Sequence, residues 1–453
     1  MNAHRKQTSI KARQQGVALL VMLIVLMGAM AAAAVSLLGS RVPAQRRAQE
    51  VQASLAQARE ALVAWSIAHP VPLAGSRNRP GGFPCPDNHP PGDPNEGTET
   101  YPCAAPGAIG RLPWQTLGIP RPADEHGNTL WYALGGNFRD MPNVAIHSDT
   151  VAQYQVYAAD GATLLTQAGK EAVAAVFAPG APVAGQVRDA ANVNCPSLGG
   201  SRPRHVCPDN YLEATAGRNN ASRTGPYVAG DASDTFNDRL LFITKTDFMR
   251  QVETRVAREV LYCLTTYSRD PLNQGHLSWL APLDGTAPPA FNDASGVRFG
   301  RMPDPGAAAL ANTLTDSGGA MNPLWPNACL TRLNAATQWW AGWKERVFVG
   351  VARVNQPSLA LPALLPWTAA QCAAAGDCLT VCTPGAPCLA GPPADKRVVV
   401  IVAGATLAGQ SRASNADKGL ISNYLEGENA STGDDRFESR VPGSNFNDVV
   451  VWQ

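Results

Sequence analysis

Ten cysteines, two acidic stretches and seven histidines are the residues of this 453-residue chain whose types and spacing could do chemistry. The cysteines are Cys85, Cys103, Cys195, Cys207, Cys263, Cys329, Cys372, Cys378, Cys382 and Cys388. Their even number, and their placement after an apolar N-terminal stretch, fit disulfides made in an oxidising compartment. Thiolate metal binding is the rival chemistry. No C-x-x-C occurs, however, and the gaps of five, three and five residues among the last four cysteines suit small closed loops better than a zinc knuckle. Calcium is a hard ion that wants roughly six to eight oxygens. Two stretches offer oxygens at close spacing: Asp93 to Glu99, and the loop from Glu426 to Glu438 with Glu428, Asp434 and Asp435. A solvated acidic loop accounts for either stretch equally well. The histidines (His4, His69, His89, His126, His147, His205, His276) never fall at helical metal spacing and read as loop residues. G-x-S-x-G, H-E-x-x-H and G-x-x-x-x-G-K-[ST] are all missing, so the chain reads as a non-enzyme with no required cofactor.

Charge narrows the partners. The chain has 37 basic and 36 acidic residues, but Arg5, Lys6, Lys11 and Arg13 stand in an acid-free first 16, leaving 33 basic against 36 acidic. A near-neutral body without a basic stripe excludes nucleic acid as the expected partner. With 45% apolar residues the chain can bury sizeable cores, which argues against intrinsic disorder. Asp231-x-Ser233-x-Thr235 resembles the metal-dependent adhesion motif of integrin-like domains, yet Tyr-Val-Ala-Gly precedes it instead of the buried strand that motif requires. Trp339, Trp340 and Trp343 read as core, with a partner-facing surface as the alternative.

The elements that must position these residues begin with Val17 to Ser40, 24 residues free of charge, amide and histidine. As a helix this stretch spans about 36 Å, enough for a membrane crossing with the basic leader held inside. The reading is therefore a single-pass inner-membrane protein with an exported, periplasmic body. A cleavable signal peptide cut near Ala32-Ala33-Ala34 is the rival. The helical pattern continues past Pro43, because Val51, Leu55, Ala58, Leu62 and Trp65 recur at spacings of four and three.

Arg13-Gln14-Gln15-Gly16-Val17-Ala18-Leu19-Leu20-Val21 resembles the prepilin-type N-terminus of type IV pilins and type II secretion pseudopilins. The resemblance implies cleavage between Gly16 and Val17 by a prepilin peptidase, followed by N-methylation of Val17. It implies other pilin or pseudopilin subunits as partners, and calcium in the loop before the last strand as some pseudopilins hold it. Val17 stands where the family often has Phe, and Val21 where it usually has Glu.

Five blocks recur in the same order. Ala58–Leu62 matches Ala257–Leu261; Gly110–Pro113 matches Gly300–Pro303; Ala178–Gln186 matches Val402–Gln410; Asn210–Glu213 matches Asn423–Glu426; and Phe236–Asp238 matches Phe446–Asp448. Collinearity of all five means an internal duplication. Each copy reads as a helix (47–69, 247–268), an aromatic strand (129–134, 346–351), an apolar strand (172–178, 397–403) and a last strand after Phe-Asn-Asp. The expected fold is α+β: a transmembrane helix continuing into an amphipathic one, then two tandem pilin-like units of helix plus antiparallel sheet. The divisions are 1–16 leader, 17–40 membrane helix, 41–246 first unit and 247–453 second unit. Copy one has 11 extra residues in 187–209, containing both Cys195 and Cys207, so these two are expected to bond to each other. Locality pairs Cys85 with Cys103. Cys372, Cys378, Cys382 and Cys388 admit three pairings, of which 372–378 with 382–388 is one. The functional expectation is a structural filament subunit placed near a tip; the alternative is a filament-borne adhesin with the second unit as binding module.

Overall fold

The computed structural model describes residues 45–68 and 79–453, apart from 104, 142–145, 284–290, 307–308, 319–320, 334–338, 359–362, 365, 373–376, 385–387, 389–392 and 432. The leader, Gly16, Val17 and the apolar stretch 17–40 lie outside the described residues. Helix α1 spans 45–68 and buries all five residues of the expected stripe: Val51, Leu55, Ala58, Leu62 and Trp65. Its other faces carry Arg46, Arg47, Glu50, Gln57 and Glu60 into solvent, as a one-sided helix must.

Strands β1 (Gly107–Arg111), β2 (Trp131–Gly135), β3 (Ala172–Ala178) and β4 (Arg239–Thr244) follow, and make one antiparallel sheet in that spatial order. Helix α2 (Lys245–Ser268) opens the second unit; the Thr244 hydroxyl accepts the Asp247 N–H as its N-cap. Strands β5 (Phe299–Arg301), β6 (Val347–Val351), β7 (Val398–Val402) and β8 (Val449–Trp452) repeat the antiparallel order. The first strand of each sheet was not expected. Smaller sheets decorate the loops, including a three-stranded one that joins Leu379–Cys382 to Ala394–Lys396 and Arg436–Glu438.

Strand alternation gives each sheet two buried faces. Tyr132, Leu134, Val176, Val349, Val400 and Val449 point into one continuous central core together with both helices. Trp131, Ala133 and Phe177 line an outer cluster on the first sheet; Phe348, Val399, Ile401 and Val450 line its counterpart on the second. Loop segments cover both outer clusters. The boundary expected at 246/247 falls in the first turn of α2, and that helix serves both units. Phe248 packs against Phe83 and Phe138 of unit one, with ring centroids 4.8 and 6.3 Å apart, while α2 also lies against β7 and β8.

The membrane part of the expected fold is corrected. Among the described residues no helix is long and apolar enough to cross a membrane. Helix α2 has the length but carries Lys245, Asp247, Arg250, Glu253, Arg255, Arg258 and Glu259. What the structure supports is a mixed α/β protein with several small sheets, and the single-pass inner-membrane placement is not retained.

Candidate functional site

Each unit closes with the same polar lock, and Glu213 is the centre of the first. Its Oε1 accepts the Gln186 amide at 2.6 Å, and its Oε2 accepts the N–H groups of Asn237 and Asp238 at 3.0 and 3.1 Å. Asp238 accepts the Glu213 N–H at 2.8 Å and the Asn220 amide at 3.2 Å. Unit two repeats four of these five bonds. Glu426 accepts from Gln410 at 2.8 Å and from the Asn447 N–H at 3.0 Å. Asp448 accepts the Glu426 N–H at 3.2 Å and the Asn429 amide at 3.0 Å. Asn220 also trades two hydrogen bonds with the backbone of Val228, as Asn429 does with Glu438.

The lock pins an outer lid. Tyr211 packs on Trp131 at 5.1 Å and Tyr424 on Phe348 at 5.5 Å. Arg188 and Arg412 cover the two tyrosine rings at 4.9 and 4.4 Å, and bind the carbonyls of Gly180 with Asn210 and of Gly404 with Asn423. Burial and the neighbouring Glu charge hold Asp238 and Asp448 well above the ordinary carboxylate range. Each lock ties separated stretches of its unit together through these hydrogen bonds, which is the chemistry of a fastener.

The second site joins the units. Asp149, from the loop between β2 and β3, accepts from Arg346 at 3.0 Å, from Arg412 at 2.9 and 3.1 Å and from the Thr406 N–H at 2.9 Å. The Ser148 hydroxyl donates to the Ala403 carbonyl at 2.8 Å. Burial raises the Asp149 carboxyl, but Arg412 and Arg346 outweigh it and hold the group below its usual value. Burial and Arg346 push His147 down to about 4, so it is neutral here. Glu253 of α2 is buried behind this latch, and desolvation pushes it up to about 7 against the partial opposition of Ser148, Arg250 and Lys245. The counterparts of Thr406 and Arg346 in unit one are Pro182, which has no N–H, and Thr129, which carries no guanidinium, so unit one lacks the donor set of the latch.

The cysteines form five disulfides: Cys85–Cys103, Cys195–Cys207, Cys263–Cys329, Cys372–Cys378 and Cys382–Cys388. Asp209 lies beside the Cys195–Cys207 pair, but both sulfurs are consumed in the disulfide. The four candidate calcium ligands are not gathered. Glu426 is buried in the lock, and Asp435 makes a bidentate pair with Arg298 at 3.0 Å. Glu428 and Asp434 remain adjacent at the surface, where desolvation and the Asp434 charge raise Glu428. In the 93–99 stretch the oxygens serve the chain. Glu96 binds the Gly92 N–H and Arg111, Glu99 binds the Cys85 N–H, and Asp93 binds the Asn95 N–H. Asp231, Ser233 and Thr235 sit in an exposed turn before β4. Trp339, Trp340 and Trp343 are buried in the central core.

Sequence reasoning found Glu213, Asp238 and Asp448 only as repeat markers, and Glu426 as a repeat marker and calcium candidate. It missed Asn220, Asn429, Arg188 and Arg412, although each arginine stands two residues after the repeated Gly-Gln. Asp149, Ser148 and Glu253 had no repeat signal, since they work between copies. Comparison with known protein families, with curated proteins and with solved structures found no match to this chain.

Proposed function

We propose that this chain is a structural subunit of a filament of the type IV pilin or type II secretion pseudopilin kind. The observation that carries the reading is the join between sequence and fold: a basic leader ending in Gly16-Val17 precedes an amphipathic helix that lies on a four-stranded antiparallel sheet. Five disulfides agree with a life in an oxidising compartment, where assembled filaments work. Its partners are other pilin or pseudopilin subunits, and a prepilin peptidase that cuts after Gly16. The two locks bind separate segments of the chain to one another, which suits a load-bearing body.

A place at or near the filament tip, in few copies, goes with this reading. No acid occurs from Val17 to Ser40, so the usual pairing of a Glu at the fifth mature position with a neighbour's terminal amine cannot form. That loss matters least for a subunit with none ahead of it. N-terminal mass spectrometry of the protein purified from its native host tests the assignment. A chain beginning at N-methylated Val17 supports it; an intact Met1, or a cut after Ala34, overturns it. Immunogold labelling of sheared filaments tests placement, with sparse label at one end expected and regular label along the shaft refuting the tip.

A further inference from the structure

Unit two makes its lock without the residues that unit one inserts between its Gly-Gln and Asn-Tyr-Leu-Glu blocks. In unit two a one-turn helix at Asn415–Lys418 spans the connection. In unit one a hairpin of Asn192–Asn194 with Ser201–Pro203 replaces it. The hairpin is made rigid by Cys195–Cys207 and by Asp209, which accepts the Ser197 N–H at 3.0 Å and the Ser197 hydroxyl at 2.7 Å. Since the lock closes equally well without it, the hairpin is an addition to the fold and not a requirement of it.

What the hairpin builds is one wall of a cleft of about 570 Å³, with the lock as its floor. That volume lies within the range of small-molecule sites. Lys, Arg and His are all missing from its lining, so it offers nothing to an anion. Its carboxylates, Glu213 and Asp209, already accept from the chain's own donors and leave little for a cation. The side-chain amides of Asn192 and Asn194 remain. Both are exposed, they share one side of the strand, and neither amide is hydrogen-bonded among the described residues. Each presents donors and an acceptor together, the pattern that matches a hydroxyl acting both ways. Exposed Val187 supplies a small apolar patch beside them.

We infer that this cleft binds a short neutral saccharide, with Asn192 and Asn194 reading its hydroxyls. The assignment rests on the hairpin alone and is independent of the filament reading. Full-length protein is titrated calorimetrically with neutral mono- to tetrasaccharides of glucose, galactose, mannose and N-acetylglucosamine, and beside them with uronate-containing glycans and extended peptides. Saturable binding of at least one neutral glycan is expected. Asn192→Ala and Asn194→Ala should each weaken it about fivefold, as loss of one neutral hydrogen bond does, and the double variant about twentyfold. Both positions are exposed, so the melting temperature should not move. Binding of none of the neutral probes, preference for the uronates or peptides, or a double variant that binds like the parent would overturn the inference.

Discussion

Glu253 gives the fold a pH dependence that a single side chain can test. Its folded pKa of about 7 lies above the ordinary glutamate value of 4.5, so the folded state holds the proton more tightly than the unfolded chain. The associated stability is complete below about pH 4.5 and is lost as pH rises through 7, a decline of about 3 kcal/mol. Glu253→Gln should therefore flatten the fall in melting temperature between pH 5 and 8. Parallel slopes for parent and variant would exclude this role. Asp238 and Asp448 are raised in the same sense, by burial first and then by the charge of Glu213 and Glu426. None of these protons is visible in a sequence, because burial and neighbours create them. The spacing of Gln, Asn-Tyr-Leu-Glu and Asn-Asp blocks was visible, and it located the lock without revealing that its parts touch.

Among the elements, helices and apolar strands were legible because their patterns are strong. The stripe from Val51 to Trp65 and the run Val398–Val402 each have one structural solution. Strand β1 reads Gly-Ala-Ile-Gly-Arg and β5 has only three residues; both are strands because a partner strand holds them, and no propensity announces it. The apolar run 17–40 lies outside the described residues, and no described helix is long and apolar enough to cross a membrane. Cys195–Cys207 was readable from the insertion that brought it and Cys85–Cys103 from locality, while the pairing of the last four cysteines was left open. Cys263–Cys329 was not readable, since it ties α2 to the short helix Asn327–Leu333 across 66 residues. Loop closure makes that crosslink worth about 4 kcal/mol, against about 3 for the 12-residue Cys195–Cys207 loop. Urea unfolding of the two double-alanine variants should show the larger loss for Cys263→Ala/Cys329→Ala. The reverse order would mean that strain or unfolded-state structure dominates. At the head of the same helix, Thr244→Ala removes the N-cap and should cost about 1 kcal/mol in the same assay.

For the whole molecule, the two copies are one cooperative body. One buried cluster runs through both helices and the inner faces of both sheets. Calorimetry should accordingly show a single unfolding transition, and two resolved transitions would mean that the copies fold separately. Asp149→Ala leaves Arg346 and Arg412, with side chains only 9% and 4% exposed, facing each other without a carboxylate. Stranding buried charge costs about 3 kcal/mol or more, read as a lower urea midpoint. The same shared core makes deletion of 247–453 a poor test of an adhesin role, because it would strip α2 from unit one.

Synthesis proceeds from the N-terminus, so every residue of the first sheet through Thr244 is made before α2 exists. Until then Phe83, Phe138 and Ile146 lack the surface that Phe248 and Val252 later supply. A nascent chain halted near residue 244 would hold an open apolar face, vulnerable to proteases and to self-association. A duplication that might have yielded two self-sufficient modules has instead made the first copy wait for the second. Quality control is thereby built into the order of manufacture, because a truncated product cannot pass as a finished one.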